Sequence, residues 1–295
     1  MEVITGVPAE AVNQGATHTL FVEGTADSID PRALTRLLGD TDIGIRTLGP
    51  SFHVKSAAQA LHPYHPNYYF LIDRDHHDDT TVEQSWANFP VADTYNLLIW
   101  RKRELENYFL DPGYLSQSGF MKKCTLADLT SRLLKISSRR VFFDIANQTI
   151  VKVREVQKNK WIEDFKNPDE FSTSENALEK LKMSEPLRSR ASLIVEQMNF
   201  ASVEKIFKEL ENEFLGGAKK PELGRGLWLD RMRGKQIFAS IVSECFDVKD
   251  TDGKTVTGPK AINYVAEDLL RQDLAQQPSD FKELHALISA RVKVK

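Results

Sequence analysis

The sequence has few cysteines and no long apolar run, and both absences exclude whole classes of protein. Only two cysteines occur in 295 residues, Cys124 and Cys245, and no C-x-x-C pair is present. Two isolated thiols do not support a zinc site and are typical of a chain kept in a reducing compartment. No apolar run is long enough to span a bilayer, and no basic-then-apolar N-terminal signal is found. We therefore expect a cytoplasmic protein that does not insert into membranes.

The sequence also lacks a large excess of charge of either sign. It contains 39 Lys and Arg against 42 Asp and Glu, for a net charge of −3. A chain with this balance does not attract nucleic acid through its global field. A local contact remains open, because bound metal ions bring their own positive charge. Any nucleic-acid site on this protein must therefore be local.

Two acidic stretches each follow a short apolar run near the N-terminus. Residues 18–27 read HTLFVEGTAD, so that the run ends at Glu23, and residues 68–79 read YYFLIDRDHHDD, so that the run ends at Asp73 and Asp75. Continuous apolar runs of this length are typical of buried parallel strands, and ligands bind beyond the carboxyl ends of such strands. We therefore predict that these carboxylates share a site for hard cations such as Mg²⁺.

The spacing of apolar residues predicts an α/β core followed by helices. Predicted strands at residues 17–22, 43–48, 69–72 and 95–100 alternate with predicted helices at residues 31–38, 54–61 and 81–88, as in a parallel sheet. Residues 1–4 form a further short strand candidate. After residue 112 helical periodicity predicts helices at 126–134, 151–165, 178–181, 191–198, 203–214, 227–246, 260–271 and 278–292, with exposed links at 165–174 and 216–226. The expected domains are a core at 1–112, a helical insertion at 113–226, and C-terminal helices at 227–295 that pack back on the core.

The acidic residues suit metal-dependent cleavage of phosphodiester bonds. Asp73 and Asp75 point the same way if the strand stays extended beyond its apolar run. Gly24 lets the chain turn sharply directly after Glu23. Two Mg²⁺ ions held about 4 Å apart activate the attacking oxygen and stabilise the leaving oxygen. A D-x-D pair taken alone is more often a helix cap or a solvated loop, so the combination carries the hypothesis.

VEGTAD followed by LIDRD resembles the TOPRIM domain, the metal-dependent fold of topoisomerases, bacterial primases and overcoming-lysogenization-defect (OLD) nucleases. The resemblance implies a Rossmann-like, mainly parallel sheet flanked by helices, with a helical insertion and a C-terminal helical region. It makes Glu23, Asp73 and Asp75 the primary metal ligands. Asp27 would complete a second metal site or the outer shell.

Residues 101–112, RKRELENYFLDP, resemble the R-x-E-x-E-N-Y-L signature that follows the fourth strand in stand-alone OLD-type TOPRIM nucleases. The resemblance assigns Glu104 and Glu106 to metal ligation or to its outer shell. Asn107 and Tyr108 would then fix the local geometry. The alternative for this segment is an exposed, charged start of a helix.

The resemblance also implies a lysine from a late helix that meets the scissile phosphate, and Lys235 in GKQIFASI is the candidate. An ammonium group suits a phosphoryl oxygen as a point charge. The alternative is an ordinary surface lysine. His76 and His77 follow the second acidic motif and either touch substrate or metal or are solvated loop residues.

The sequence contains no G-x-x-x-x-G-K-[ST] phosphate loop, so the ATPase fused to OLD nucleases is missing. A stand-alone TOPRIM chain with a helical second half is similar to the AriB-type effector nucleases of PARIS anti-phage systems. There a separate ABC-type, AriA-like ATPase holds the nuclease until a phage trigger releases it, and the released nuclease forms a homodimer that cuts host tRNA. The resemblance implies an endonuclease that uses two Mg²⁺ ions, with Mn²⁺ as a substitute. The alternatives are an OLD-like nuclease that nicks or degrades DNA and a partner-binding module with a vestigial site.

Overall fold

The structure is a computed structural model that describes residues 18–62, 64–90, 96–122, 124–158, 178–179, 181 and 185–292. The expected strand at residues 1–4 and the expected link at 165–174 lie outside the described residues. Of the expected helix at 178–181, the structure describes residues 178, 179 and 181. The remaining expectations can be compared with the structure.

Four parallel strands form one sheet at the centre of the N-terminal part. They are β1 (His18–Val22), β2 (Ile43–Thr47), β3 (Tyr68–Ile72) and β4 (Leu97–Ile99), in the order β2-β1-β3-β4. Every neighbouring pair is parallel. The expected α/β class with a parallel sheet is therefore confirmed, and the carboxyl ends of all four strands meet at one edge.

Helices connect these strands and cover the sheet. They are α1 (Ile29–Leu37), α2 (Ser51–Leu61) and α3 (Asp79–Asn88). In α2 the buried residues are Val54, Ala57, Ala58 and Leu61, whose spacing of three and four places one apolar stripe against the sheet. Strands β1, β3 and β4 are largely buried, as their continuous apolar runs predict. Strand β2, at the edge of the sheet, is only partly buried.

A short buried segment follows β4. It consists of a 3₁₀ helix (Leu105–Leu110) and α4 (Pro112–Leu115), and Asp111 caps α4 by accepting a hydrogen bond from Tyr114 N at 2.8 Å. Every residue of the 3₁₀ helix is buried, including Glu106 and Asn107. The alternative of an exposed, charged helix start at this point is therefore wrong.

The chain divides into two compact units, Met1–Ser137 with Leu229–Lys295, and Ser138–Trp228. These limits differ from the expected boundaries at residues 112 and 226, because α5 (Leu126–Lys158) is one helix of 33 residues. The prediction of two separate helices, at 126–134 and 151–165, is therefore wrong, because residues 135–150 are helical as well. No glycine or proline occurs at residues 135–150 to interrupt the helix.

The described part of the second unit is mainly helical. Besides its share of α5 it contains α6 (Glu185–Met198) and α7 (Phe200–Leu215). Helix α7 ends at Gly216, whose φ of +56° is the left-handed conformation that commonly terminates helices. Trp228 is buried and donates a hydrogen bond from its indole nitrogen to Glu222 O at 2.9 Å.

The helix predicted at residues 227–246 is two helices, α8 (Trp228–Arg231) and α9 (Gly234–Cys245). The break follows from Asn107, whose side-chain amide donates to Leu229 O at 2.6 Å and to Met232 O at 3.0 Å. Carbonyl groups engaged in this way do not continue one regular helical ladder. The predicted helix 227–246 is therefore wrong at residues 232 and 233.

Two further helices complete the first unit, α10 (Gly258–Leu269) and α11 (Ser279–Ser289). The N-cap residue of α11 is Pro278, and Ser279 is the first helical residue. Helix α9 packs against the 3₁₀ helix and against α10, and α10 packs against α1. The C-terminal helices thus belong to the same compact unit as the sheet.

Both cysteines are free thiols. Cys245 is buried, and burial together with the neighbouring Cys124 raises the pKa of the Cys245 thiol to about 12. Such a thiol is unreactive near neutral pH. Within the described ranges, no helix combines the length and the hydropathy needed to cross a bilayer.

An aromatic cluster fixes α11 to the end of β4. The ring centroid of Phe281 lies 5.6 Å from that of Trp100, 4.9 Å from that of Tyr108 and 6.0 Å from that of Phe109. All four side chains are buried. Because rings at these distances gain both area burial and specific ring contacts, the cluster stabilises the segment that carries Glu104 and Glu106.

We predict that Phe281→Ala lowers the free energy of unfolding by about 3–5 kcal/mol, because it leaves a cavity among fully buried rings. Urea denaturation followed by circular dichroism measures the change. Phe52→Ala is the matched control, since Phe52 is 62% exposed, and it should change the stability by less than about 0.5 kcal/mol. Equal losses in the two variants would contradict the assigned role of the cluster.

Candidate functional site

Glu23 and Asp73 meet at the carboxyl edge of the sheet. Each directly follows its strand, and β1 and β3 are parallel neighbours with Val22 opposite Leu71. The backbone N–H of Asp73 donates to Glu23 Oε1 at 2.8 Å. The juxtaposition predicted from the two apolar runs is therefore present.

A glycine turn carries the chain from Glu23 into α1. Gly24 has φ of +89°, and its N–H and carbonyl both bond to Gly49, at 2.9 and 3.2 Å. A Cβ atom at Gly24 would lie 2.3 Å from Ser28 Oγ. Only glycine combines this backbone conformation with so close an approach.

Lys235 joins three segments of the site. Its ammonium Nζ donates to Asp73 Oδ2 at 3.0 Å, and its backbone N–H donates to Glu104 Oε2 at 2.8 Å. The other oxygen of Asp73 accepts from Leu105 N at 3.3 Å. Two carboxylates and one lysine thus hold β3, the 3₁₀ helix and α9 together.

Asn107 sets the position of α9. Its amide oxygen accepts from Glu104 N at 3.0 Å while its amide nitrogen holds the carbonyl groups of Leu229 and Met232. A Cβ atom at Gly234 would lie 2.4 Å from Asn107 Oδ1 and 2.7 Å from Asn107 N. Position 234 therefore accommodates no side chain, and this close approach brings Lys235 to the carboxylates. The predicted role of Asn107 in local geometry agrees with these contacts.

Asp30 is a member of the cluster that sequence reasoning missed. It lies in the first turn of α1, is 7% exposed, and interacts electrostatically with Lys235 and Glu104. A carboxylate at that position usually stabilises the helix N-terminus and is solvated, so nothing set it apart. Its position in the sequence could have revealed Asp30. It lies six residues after Gly24, in the first turn of the helix that follows the glycine turn.

A cavity of about 450 Å³ opens beside these groups. Its walls include Glu23, Asp27, Asp30, Glu106 and Lys235. Asp27 is exposed, whereas Glu106 is 4% exposed. The Oε2 atom of Glu106 has no hydrogen-bond partner among the described residues. Such an orphaned buried oxygen is costly unless it is protonated or meets a ligand.

The cluster holds more negative charge than Lys235 balances. The carboxylates that surround this ammonium are Glu23, Asp30, Asp73, Glu104 and Glu106. Burial raises the pKa of Glu23 to about 7, and the charge of Asp75 adds to this while the hydrogen bond from Asp73 N opposes it. Burial, and then the charge of Asp30, hold the pKa of Asp73 and of Glu106 well above the usual range.

The pKa of Lys235 also reflects the excess of carboxylates around it. Burial by itself lowers the pKa of this ammonium, but the carboxylates of Asp73, Glu106 and Asp30 outweigh burial and raise the pKa above its usual value. Lys235 is therefore charged at all physiological pH values. The carboxylates compete for one cation, and the cluster is short of positive charge.

Asp75 departs from the geometry expected of a D-x-D pair. The strand ends at Ile72, Asp75 has φ of +47°, and its N–H donates to Arg103 O at 3.3 Å. Asp73 is buried whereas Asp75 is exposed. The assumption that the strand stays extended is wrong, since the chain turns at Asp75. Asp75 still acts on the cluster, because its charge raises the pKa of Glu23.

The residues after Asp75 divide between structural and exposed positions. His77 Nε2 lies 2.8 Å from Lys55 Nζ, and burial followed by that lysine lowers the pKa of His77. His76 is exposed. Asp78 caps α3 by accepting a hydrogen bond from Thr81 N at 2.9 Å.

Tyr108 and Arg101 support the site from behind. Tyr108 donates to Asp280 Oδ2 at 2.5 Å, and Arg101 pairs with Asp280 at 3.1 Å and with Glu283 at 2.6 Å. The Arg101 guanidinium stands 4.0 Å from the ring centroid of Trp86. Arg101 is thus engaged in the fold rather than available to a ligand.

Within the described ranges, no group of three or more His, Cys, Asp and Glu side chains is placed to hold a metal ion. The carboxylates instead close around Lys235. Comparison of the chain with protein-family models, with curated proteins and with solved structures gave no match. The fold and the site together define an α/β protein with a parallel four-stranded sheet and an acidic cluster at the carboxyl edge of that sheet.

The pKa of Glu23 predicts how the stability of the metal-free protein depends on pH. Since the folded pKa of about 7 lies above the ordinary glutamate pKa of 4.5, the fold favours the protonated form. The associated stability is complete below the unfolded pKa and is lost as the pH rises through the folded pKa. We expect the free energy of unfolding in EDTA to fall from about pH 5 to about pH 8, with Glu23 contributing on the order of 2 kcal/mol.

Glu23→Gln keeps the acceptor for Asp73 N but cannot ionise, so it should flatten this fall. Chemical denaturation at each pH measures the effect. Glu209→Gln is the control, since Glu209 is exposed and belongs to the second unit rather than to the unit that carries the cluster. A wild-type curve with no fall in this pH range, or one that both substitutions change equally, would contradict the assignment.

Proposed function

We propose that this protein is a Mg²⁺-dependent TOPRIM-type endonuclease that cleaves phosphodiester bonds in nucleic acid. The observation that carries the proposal is the convergence of Glu23, Asp73 and Glu106 on Lys235 at the carboxyl edge of a parallel sheet. Open α/β sheets bind ligands at this edge. Buried carboxylates next to a lysine are the groups required to hold hard cations and an anionic substrate together.

The donor set fits a hard divalent cation in its chemistry. All available side-chain donors are oxygens, burial raises the pKa of Glu23 and of Glu106, and Glu106 Oε2 has no partner among the described residues. Among the described residues these carboxylates are not placed as a ready-made metal site, so Glu23, Asp73 and Glu106 would have to turn from Lys235 towards the ion to hold it. Asp30 and the predicted ligands Asp27, Asp75 and Glu104 would lie around it. A bound Mg²⁺ lowers the pKa of an attacking water and neutralises charge on the phosphate.

Lys235 serves two purposes in this proposal. In the metal-free protein its ammonium is the internal counter-ion of Asp73, at 3.0 Å. Its side chain is 49% exposed, so it can leave Asp73 and approach a phosphoryl oxygen at the mouth of the cavity. The backbone bond to Glu104 keeps the first turn of α9 in place while the side chain moves.

The proposal of substrate and control rests on the resemblance of residues 18–27, 68–79 and 101–112 to AriB-type effectors. On that basis the substrate is host tRNA, the active form is a homodimer, and a separate ABC-type ATPase restrains the nuclease until a phage trigger releases it. The DNA-cleaving alternative uses the same residues and differs in substrate only. A vestigial site is disfavoured, because clustered buried carboxylates without a ligand destabilise a fold.

Metal binding is testable without an activity assay. Because a ligand that binds only the folded state stabilises it by mass action, about 10 mM Mg²⁺ or Mn²⁺ should raise the melting temperature of the wild type by roughly 3 °C or more. The increase should be smaller in Asp30→Asn and absent in Glu23→Ala. Glu209→Gln should respond like the wild type. An equal response in Glu23→Ala would contradict metal binding at the cluster.

Expression in cells tests the reaction and its substrate. Tightly induced wild type, supplied with its trigger and partner where these are required, should be toxic and should fragment small RNA. Glu23→Ala should abolish both effects, because removing a metal ligand costs orders of magnitude in rate. Gels of total RNA and of chromosomal DNA give the readout. Degraded DNA would support the OLD-like alternative. Equal toxicity of the wild type and Glu23→Ala would contradict the catalytic assignment.

A further inference from the structure

A second cavity lies at the same edge of the sheet, and its charge is opposite to that of the first. Its volume is about 540 Å³, and it is lined by α1, by the carboxyl-terminal half of β2 and by the end of α10. Four arginines and one glutamate contribute to its walls, namely Arg32, Arg36, Arg46, Arg271 and Glu267. Four positive charges less one negative charge leave a net charge of +3 in a protein whose total is −3.

Three of these arginines are available to a ligand. Arg32 is hydrogen-bonded to Glu267 and forms an ion pair with it. Arg36, Arg46 and Arg271 are exposed, and within the described ranges none of their side chains forms an ion pair or a hydrogen bond. Other arginines of this unit form ion pairs, as Arg74 does with Asp79 and Arg101 with Asp280. Uncompensated arginines thus concentrate at this cavity.

The arginines come from separate elements, and their convergence depends on the fold. Arg32 and Arg36 are four residues apart on α1 and share one face of that helix. Arg46 lies on β2, the edge strand, opposite Phe21. Arg271 follows α10, which packs against α1. Like charges brought together in this way repel one another, and the repulsion is relieved when an anion binds between them.

One short segment separates the two cavities. Ala26 lines the basic cavity, whereas its neighbours Thr25 and Asp27 line the acidic cavity. On α1, Arg32 lines the basic cavity and Asp30 lines the acidic cavity. The two cavities are therefore neighbours along the edge of the sheet. A strand that crossed this segment would bring one phosphate beside Lys235 and the adjacent phosphates towards the arginines.

We infer that the arginine-lined cavity binds the sugar-phosphate backbone of a nucleic-acid strand next to the phosphate that is cleaved. The inference rests on the proposed function and adds the surface that positions the strand. Guanidinium groups bind phosphate through paired hydrogen bonds and stay charged at every physiological pH. Backbone contacts of this kind carry no base sequence, so the cavity supplies affinity and register rather than sequence preference.

The test is binding of nucleic acid by the full chain in EDTA, where no cleavage occurs. Fluorescence anisotropy measures the affinity for a labelled single-stranded RNA oligonucleotide, for tRNA and for duplex DNA over a range of salt concentrations. The triple variant R36Q/R46Q/R271Q should bind about 10- to 100-fold more weakly at about 0.1 M salt, and the slope of log K against log salt should fall by about 2. Its melting temperature should match that of the wild type, because all three side chains are exposed.

The control is K249Q/K254Q/K282Q, which removes the same charge from residues that line neither cavity. This control should bind nucleic acid like the wild type. An equal loss of affinity in the two triples, or no loss in R36Q/R46Q/R271Q, would overturn the inference. The inference would also be overturned if R36Q/R46Q/R271Q lost affinity for inorganic pyrophosphate but bound the oligonucleotides like the wild type.

Failure of the inference and failure of the proposed function are distinguishable. If the wild type cleaves nucleic acid with Mg²⁺ and the arginine triple cleaves it with unchanged KM and unchanged salt dependence, the inference alone is wrong. If the wild type neither binds nor cleaves any of the three probes with its trigger and partner present, the proposed function is wrong. A raised KM with little change in kcat is the result that supports the inference, because the arginines bind substrate without touching the reacting atoms.

Discussion

The ion pair between Lys235 and Asp73 is the interaction on which the acidic edge of the sheet depends. Asp73 is 5% exposed and Glu106 is 4% exposed, and Lys235 is the nearest compensating charge of both. Leaving a buried carboxylate without a counter-charge costs several kcal/mol, and such a group takes up a proton instead. Burial first, and then the charges of neighbouring carboxylates, keep the pKa values of Glu23, Asp73 and Glu106 raised in spite of this ammonium. The fold thus maintains a site that gains stability from any further cation.

The position of Lys235 depends in turn on contacts between distant parts of the chain. Asn107 holds the carbonyl groups of Leu229 and Met232, and Gly234 packs directly against Asn107 where a side chain would collide. The aromatic cluster around Phe281 supports the same 3₁₀ helix from behind. The C-terminal helices are therefore part of the site. Their contribution explains why α8 and α9 are two helices although the apolar periodicity of residues 227–246 is continuous.

The strands and the meeting of Glu23 with Asp73 were predictable, because both follow from continuous apolar runs and from the geometry of parallel sheets. Asp30 was not predictable, since an aspartate in the first turn of a helix has an ordinary explanation that local sequence cannot exclude. The position of Asp75 was predicted wrongly because the chain leaves the strand after Ile72. The backbone of Asp75 then turns and bonds to Arg103, a contact that the pattern of side chains does not reveal. Glu106 and Lys235 were named from resemblance. The burial of Glu106 and its compensation by Lys235 depend on packing between segments more than 120 residues apart, which no local pattern encodes.

The net charge of −3 and the proposed nucleic-acid substrate are compatible only if the charges are separated in space. Screening confines each local field to about 8 Å at physiological ionic strength, so the sum over the whole chain matters less than the order of charges along one edge. The acidic cavity by itself repels a phosphate until a cation is bound there. The adjacent arginines attract the neighbouring phosphates irrespective of that cation. In the proposed function a strand is therefore held first by the arginine-lined cavity and reaches the carboxylates only where cations have neutralised them, so that cleavage depends on metal while binding depends on salt.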